Sequence, residues 1–332
     1  MLLEKIQQNA SLLAEHPAYR CGEDSLTYSQ LWNAASLLAA QLQDGAGAVA
    51  LIGTKQPMMA VGMLGSLLAG RPYLPLSSDQ PKERLQRILS QANPGTVIDC
   101  REAKAEQWLK REPAMQNFLI PGNPSRDAYW LFTSGSSGSP KGVRISLAAL
   151  ENFVRWFCAL PAIRSRKKPG AALNQAQFSF DLSVADLWPA WMMGETVFAL
   201  EPSHQADLDK LYRALGESGA TRMSCTPSFT RLCLCDKSFQ RELMPALQTV
   251  FFCGETLPAR TVRQLRQRFP GVTVLNAYGP TEATCAVCAV EVTGAGEPLP
   301  VGQLANAACQ LLILDQDGNE LPPGQSGEIA IA

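Results

Sequence analysis

The densest chemistry lies in Thr133-Ser134-Gly135-Ser136-Ser137-Gly138-Ser139-Pro140-Lys141-Gly142. Glycines let backbone N–H groups turn into one concavity, which suits an anion. The hydroxyls add donors, and Lys141 adds a charge matched to polyphosphate. The run is not a Walker loop: no Gly-Lys-Ser/Thr follows the glycines, and GxGxxG is absent. No GxSxG elbow is present either, so a serine hydrolase has no support. Composition alone leaves a Gly/Ser linker open. The position directly after an apolar strand, with Pro-Lys-Gly to finish, favours the cradle.

A second constellation is Asn174-Gln-Ala-Gln-Phe-Ser-Phe-Asp181-Leu182-Ser183. A carboxylate in such an apolar setting is costly unless paired. Its partner is either an arginine of the protein or the ammonium of a substrate, and the residues alone leave both open. A third is Asn276-Ala277-Tyr278-Gly279-Pro280-Thr281-Glu282, again after a strand. Its amide and phenol suit a flat base, Thr281 a phosphate, and Glu282 a hard cation such as Mg²⁺. A plain turn at Gly279-Pro280 is the alternative. Phe252-Cys253-Gly254-Glu255 ends one more strand.

Hydrophobic spacing shows what positions these groups. It predicts helices at Glu4–Ala14, Tyr28–Leu42, Met58–Ala69, Lys82–Gln91, Leu147–Cys158, Leu208–Ser218 and Arg260–Arg268. It predicts strands at Ala48–Gly53, Tyr73–Leu76, Thr96–Ile98, Tyr129–Phe132, Arg222–Cys225, Val250–Cys253 and Val272–Asn276. Such alternation calls for mainly parallel sheets covered by helices. Thr284–Val292 reads as a buried strand. From there helices stop, and Gln310–Leu314 and Gly327–Ala332 read as strands of a small β unit joined by Asp-Gly and Pro-Pro turns.

The 332 residues carry a net charge of −1, with 46% hydrophobic and 18% charged residues. That balance suits a folded core and disfavours a nucleic-acid partner. Arg164, Arg166, Lys167 and Lys168 cluster beside Pro169 and read as a solvated loop. The apolar run Met58–Ala69 is shorter than the roughly 20 residues a bilayer needs, so no membrane role is expected. The first ten residues do not read as a secretion signal. The ten cysteines form no disulfide-like framework, which points to a reducing cytoplasm. Cys285 and Cys288 have CxxC spacing without a second pair for zinc.

The three constellations, in this order and at these separations, resemble the adenylate-forming superfamily: acyl-CoA synthetases, luciferases and adenylation domains of nonribosomal peptide synthetases. Leu26-Thr27-Tyr28 and Ala69–Pro75 fit its early segments. Leu173–Ser183, Cys225–Phe229 and Phe252–Glu255 are similar to the D-alanine–carrier protein ligases.

The resemblance implies an α/β fold of two packed, mainly parallel sheets with helices in αβαβα layers. It implies a core over residues 1–285, then at 286–332 the start of a small β-barrel subdomain. It implies ATP and Mg²⁺ as cofactors. Thr133, Ser134, Gly135, Ser136, Ser137, Gly138 and Lys141 would hold the β- and γ-phosphates. Asn276 and Tyr278 would flank adenine, with Ala277 and Gly279 beside them. Thr281 would contact the α-phosphate and Glu282 the metal. Asp181 would take the α-ammonium of a small amino acid, and Leu182, Cys253 and Gly254 would line its pocket with Tyr278 and Gly279. The product adenylate would pass to a phosphopantetheinylated carrier protein.

The family's ribose-binding aspartate and its mobile C-terminal domain with the catalytic lysine lie beyond Ala332. This chain alone is therefore expected to bind ATP weakly and adenylate poorly. Competing readings are an acyl or aryl acid ligase, a non-catalytic nucleotide-binding module, and a redox or zinc protein built on Cys285 and Cys288.

Overall fold

The computed structural model describes residues 2–103, 123–134, 139–164, 170–294, 296–304 and 309–332. Gly135, Ser136, Ser137 and Gly138, and the basic residues Arg166, Lys167 and Lys168, lie outside them; the side chain of Ser134 is likewise not described.

The chain opens with α1 (Leu2–Leu12), the hairpin β1 (Pro17–Cys21) and β2 (Asp24–Thr27), and α2 (Tyr28–Leu42). Thr27 caps α2 in a capping box with Gln30, which fixes the helix start. Then come β3 (Val49–Gly53), α3 (Pro57–Leu68), β4 (Tyr73–Ser77), α4 (Lys82–Ala92) and β5 (Thr96–Asp99). The hairpin β6 (Asp127–Ser134) and β7 (Pro140–Ser146) leads into α5 (Leu147–Ala159) and α6 (Pro161–Arg164).

Next follow β8 (Ala171–Asn174), α7 (Leu182–Met193), β9 (Thr196–Ala199), α8 (Pro202–Gln205), α9 (Leu208–Glu217) and β10 (Arg222–Cys225). The last part holds α10 (Pro227–Cys233), β11 (Thr249–Phe252), α11 (Ala259–Arg268), β12 (Thr273–Tyr278), a 3₁₀ turn (Thr281–Ala283) and β13 (Cys288–Glu291). Finally β14 (Leu311–Leu314) pairs antiparallel with β15 (Glu328–Ile331).

Two mostly parallel sheets result. The larger runs β13-β12-β11-β10-β8-β9-β1-β2 and the smaller β5-β3-β4-β6-β7. Strand alternation sorts the side chains between layers. Val49 and Leu51 of the smaller sheet, and Ala172, Val197 and Phe251 of the larger, enter one central core with α1, α2, α3, α5 and α7. Ala50 and Leu74 face outward under α4. Leu173, Val250 and Val274 face outward under α9 and α11. This is the expected αβαβα layering.

Thr284–Val292 is not a continuous strand. Thr284 (φ 62°) and Cys285 (φ 75°) take left-handed backbone, and the strand begins only at Cys288. The apolar run read as a strand because the turn is itself buried. β13 pairs antiparallel with β12 as the edge of the larger sheet. No helix among the described residues is long and apolar enough to cross a membrane.

Candidate active site

The C-terminal ends of the larger sheet's strands meet the β6–β7 hairpin of the smaller sheet, and the candidate residues gather there. A cavity of about 670 Å³ is lined by Asp181, Leu182, Cys253, Gly254, Gly279 and Thr281 among others. Five residues expected to surround a substrate thus share one cavity. The sixth, Tyr278, lines a neighbouring one of about 550 Å³ with Glu282. Thr133 joins Asp181 and Thr281 in a third groove of about 480 Å³.

Asp181 stands immediately before α7, a helix clamped between the two sheets. Trp188 Nε1 donates to the Tyr73 hydroxyl of the smaller sheet at 2.9 Å, and Trp191 Nε1 to the Ala18 carbonyl of the larger at 3.1 Å. The helix is buried all round its first ten residues, Leu182 to Trp191. Its start cannot drift without disturbing both sheets. Thr281 Oγ1 donates to Asp181 Oδ2 at 2.5 Å. Burial pushes the Asp181 carboxyl up, and the Thr281 bond offsets part of that rise. Among the described residues no arginine or lysine forms an ion pair with it.

Two glycines make the cavity wall possible. Gly254 has φ +90°, where a side chain would be strained. A Cβ on Gly279 would lie 2.5 Å from the Ala286 Cα, so the strand end and the returning chain approach only because Gly279 has none. Between them the Cys253 thiol donates to the Cys285 carbonyl at 3.5 Å. Burial contributes to holding the Cys285 thiol well up, after the contact with Cys253.

Thr133 and Lys141 are register partners on the hairpin. The Lys141 ammonium donates to Glu282 Oε1 at 2.7 Å, and that bond holds the Glu282 carboxyl below its ordinary range. Both side chains are exposed. Glu282 is therefore an ionised, accessible oxygen donor. Mg²⁺ commonly binds through one or two carboxylates plus substrate phosphates, so a single carboxylate beside a lysine fits it.

Asn276, expected to flank adenine, lines none of these three cavities. It is buried, and its amide donates to the Pro300 carbonyl at 2.8 Å. Its strand neighbours Leu275 and Ala277 face the central core, which turns Asn276 to the other side of the sheet. Tyr278, at the strand end, is 41% exposed.

The family model described as AMP-binding enzyme matches residues 6–332. The chain belongs to that family, the AMP-forming adenylating ligases. It is similar to the D-alanine--D-alanyl carrier protein ligase of Bacillus velezensis, 36% identical over 100% of this chain and 69% of that one. It is also similar to the Bacillus cereus ligase of that name, 33% identical over 99% of this chain and 69% of that one.

Among solved structures, the nonribosomal peptide synthetase FmoA3 superposes with a TM-score of 0.87 at 22% identity. The match covers 100% of this chain and 37% of that one. The N-terminal subdomain of Klebsiella oxytoca NpsA, in complex with 3-hydroxybenzoyl-AMSN, gives 0.82 at 22%, covering 99% of this chain and 86% of that one. As a family, adenylating ligases use ATP to convert a substrate acid to its adenylate.

Sequence reading passed over part of the cavity lining. Gln205 and Thr226 also contribute, Gln205 from a segment with no motif and Thr226 from the Cys225–Phe229 segment, whose residues carried no expected role. Gln175 Nε2 donates to Gln205 Oε1 at 2.9 Å at its rim. Only the fold reveals this proximity.

Proposed function

We propose that this chain is the nucleotide- and substrate-binding core of a ligase that activates a small, D-alanine-like amino acid as its adenylate, for later transfer to a carrier-protein phosphopantetheine thiol. The observation that carries the reading is Asp181. It is a partly buried carboxylate, without an ion-pair partner among the described residues, in a cavity it shares with Leu182 and Cys253. A substrate ammonium supplies the cation that the cavity lacks, through a charge-assisted hydrogen bond. The D-alanine ligases similar to this chain support the choice of a small amino acid.

In the first step a substrate carboxylate oxygen attacks the α-phosphorus of ATP and pyrophosphate leaves. The protein's task is to position the groups and stabilise charge. Asp181 orients the amino acid. Thr281, adjacent to it, would turn its hydroxyl proton from Asp181 to the α-phosphate when nucleotide binds, and Thr133 and Lys141 would meet the remaining phosphates. Glu282 would hold Mg²⁺, which neutralises phosphate charge when bound. Tyr278 offers an exposed ring to adenine.

The test is calorimetric titration of this chain with sulfamoyl-adenosine analogues carrying D-alanyl, L-alanyl, glycyl, D-leucyl and benzoyl groups. Tightest binding of a small aminoacyl analogue is expected. Preference for the benzoyl analogue would refute the amino-acid reading and favour an aryl acid. Close candidates should differ modestly, because one methylene is worth only about 1–3 kcal/mol.

A further inference from the structure

Beneath the substrate cavity runs a chain of buried polar side chains that reaches across the two sheets. Lys55 lies in the turn between β3 and α3 and is 1% exposed. Its ammonium donates to Asn174 Oδ1 and to the Ala176 carbonyl, and sits 4.1 Å from the centre of the Phe178 ring. Asn174 Nδ2 then donates to Asp186 Oδ2 at 3.3 Å. Asp186 accepts from the Ser224 amide at 3.2 Å and faces the Arg222 guanidinium at 3.7 Å. Arg222 pairs with Glu195 at 2.8 Å. The Tyr19 hydroxyl donates to the Lys55 carbonyl at 2.8 Å and secures the turn itself.

A buried ammonium is a poor device for stability alone, since an apolar chain of similar length often serves as well or better. What Lys55 touches suggests another use. Both acceptors belong to residues 174–176, where the chain leaves β8 and enters the cavity wall: Gln175, Ala176 and Gln177 line the cavity, and Asp181 follows. The Ala176 carbonyl lies in irregular backbone, where it has no ladder partner of its own. Asp186, the far end of the Asn174 link, lies on α7 itself.

We propose that Lys55 is a positioning residue for the substrate: reaching from the smaller sheet, it fixes the 174–177 wall and, through Asn174 and Asp186, the start of α7, so that Asp181 is held where a substrate ammonium binds. The inference rests on the amino-acid reading of Asp181. It makes amino-acid affinity a property of both halves of the molecule, although Lys55 lines no part of the cavity.

The experiment compares wild type, Lys55→Met and Asn174→Ala of the whole chain, titrating D-alanyl sulfamoyl adenosine and, separately, the ATP analogue AMPPNP, with a thermal melt of each. Lys55→Met should lose on the order of 10- to 100-fold in affinity for the aminoacyl analogue, most of what a hydrogen bond between Asp181 and a charged ammonium is worth. Its AMPPNP affinity should be unchanged, even where the melting temperature falls because two buried acceptors lose their donor. Asn174→Ala should show a smaller loss with the same selectivity.

Wild-type affinity for the aminoacyl analogue in Lys55→Met would overturn the proposal. So would equal losses for both ligands with a lowered melt, the mark of a merely structural role. If Lys55→Met does not fold, Asn174→Ala decides by the same criteria. Failure of the wild-type chain to prefer any aminoacyl analogue would instead remove the amino-acid reading itself.

Discussion

Replacing Asp181 with Asn keeps the size of the side chain and an oxygen for Thr281 Oγ1, now 2.5 Å from Oδ2. It removes the charge offered to a substrate ammonium. A hydrogen bond to a charged group is worth about 1.5–3 kcal/mol. At about 1.4 kcal/mol per decade that predicts a roughly 10- to 150-fold loss of affinity for D-alanyl sulfamoyl adenosine. AMPPNP, which has no ammonium, should bind as before. Stability should move the other way. Burial raises the carboxyl of Asp181 above its ordinary value. A carboxyl raised in the fold contributes stability below its unfolded value and loses that contribution as pH rises through the folded one. At pH 7 the wild type therefore bears the cost of a partly desolvated carboxylate, and Asp181→Asn should melt at an equal or higher temperature. The gap between the two should narrow as pH falls toward the ordinary carboxylate range. Titration calorimetry with both ligands and melts at several pH values measure all of this. Unchanged affinity for the aminoacyl analogue, or a parallel loss for AMPPNP, would refute the assignment.

Glu282→Gln should lower melting stability by less than about 1 kcal/mol, because its pairing with Lys141 is exposed, yet abolish the Mg²⁺ enhancement of AMPPNP binding in a magnesium titration. Gly279→Ala should destabilise the chain by about 1–3 kcal/mol in a denaturant melt, since its Cβ would meet backbone at 2.5 Å and force the Ala286 segment to move. Burial presses the Lys55 ammonium from 10.5 down to about 7, against the raising influence of Asp186 and Cys21. Between those two values the unfolded chain holds a proton that the fold has shed, so the contribution of Lys55 to stability rises with pH across that window, and the stability of wild type relative to Lys55→Met should rise when unfolding is followed from pH 7 to 10.

The fold was legible where an apolar run had the length and flanks of one element. Tyr28–Leu42 and Arg222–Cys225 stand where spacing and composition predict them. The helix that places Asp181 was not legible. Leu182–Met193 is buried on both sides and contains Pro189, so it carries neither a 3.6-residue stripe nor an uninterrupted helical composition. The hairpin of Pro17–Cys21 and Asp24–Thr27 was missed because polar residues there sit at a sheet edge. Asp181 and Thr281 were each visible as motif members, but their direct bond spans 100 residues and follows only from the packing. Lys55 had no motif at all. Its importance comes from what β8 brings to it, and a lone lysine before Gln-Pro gives no hint of that.

The same logic explains why the two sheets need each other at this site. Two contacts join a group of one half to a group of the other. Lys141 on the smaller sheet's hairpin meets Glu282 after the larger sheet's β12. Lys55 of the smaller half grips Asn174 of the larger. The first contact is exposed, so water screens it and ligand phosphate and metal can replace it at little cost. The second is sealed, and a buried charge left without its partner is expensive. One contact is therefore suited to exchange partners when nucleotide binds, and the other to keep the sheets in register while that happens. If the halves were to move relative to one another, the 2.7 Å Lys141–Glu282 bond should break first and the Lys55 bonds last. Hydrogen exchange should then show the start of β7 and the 3₁₀ turn opening well before the end of β8.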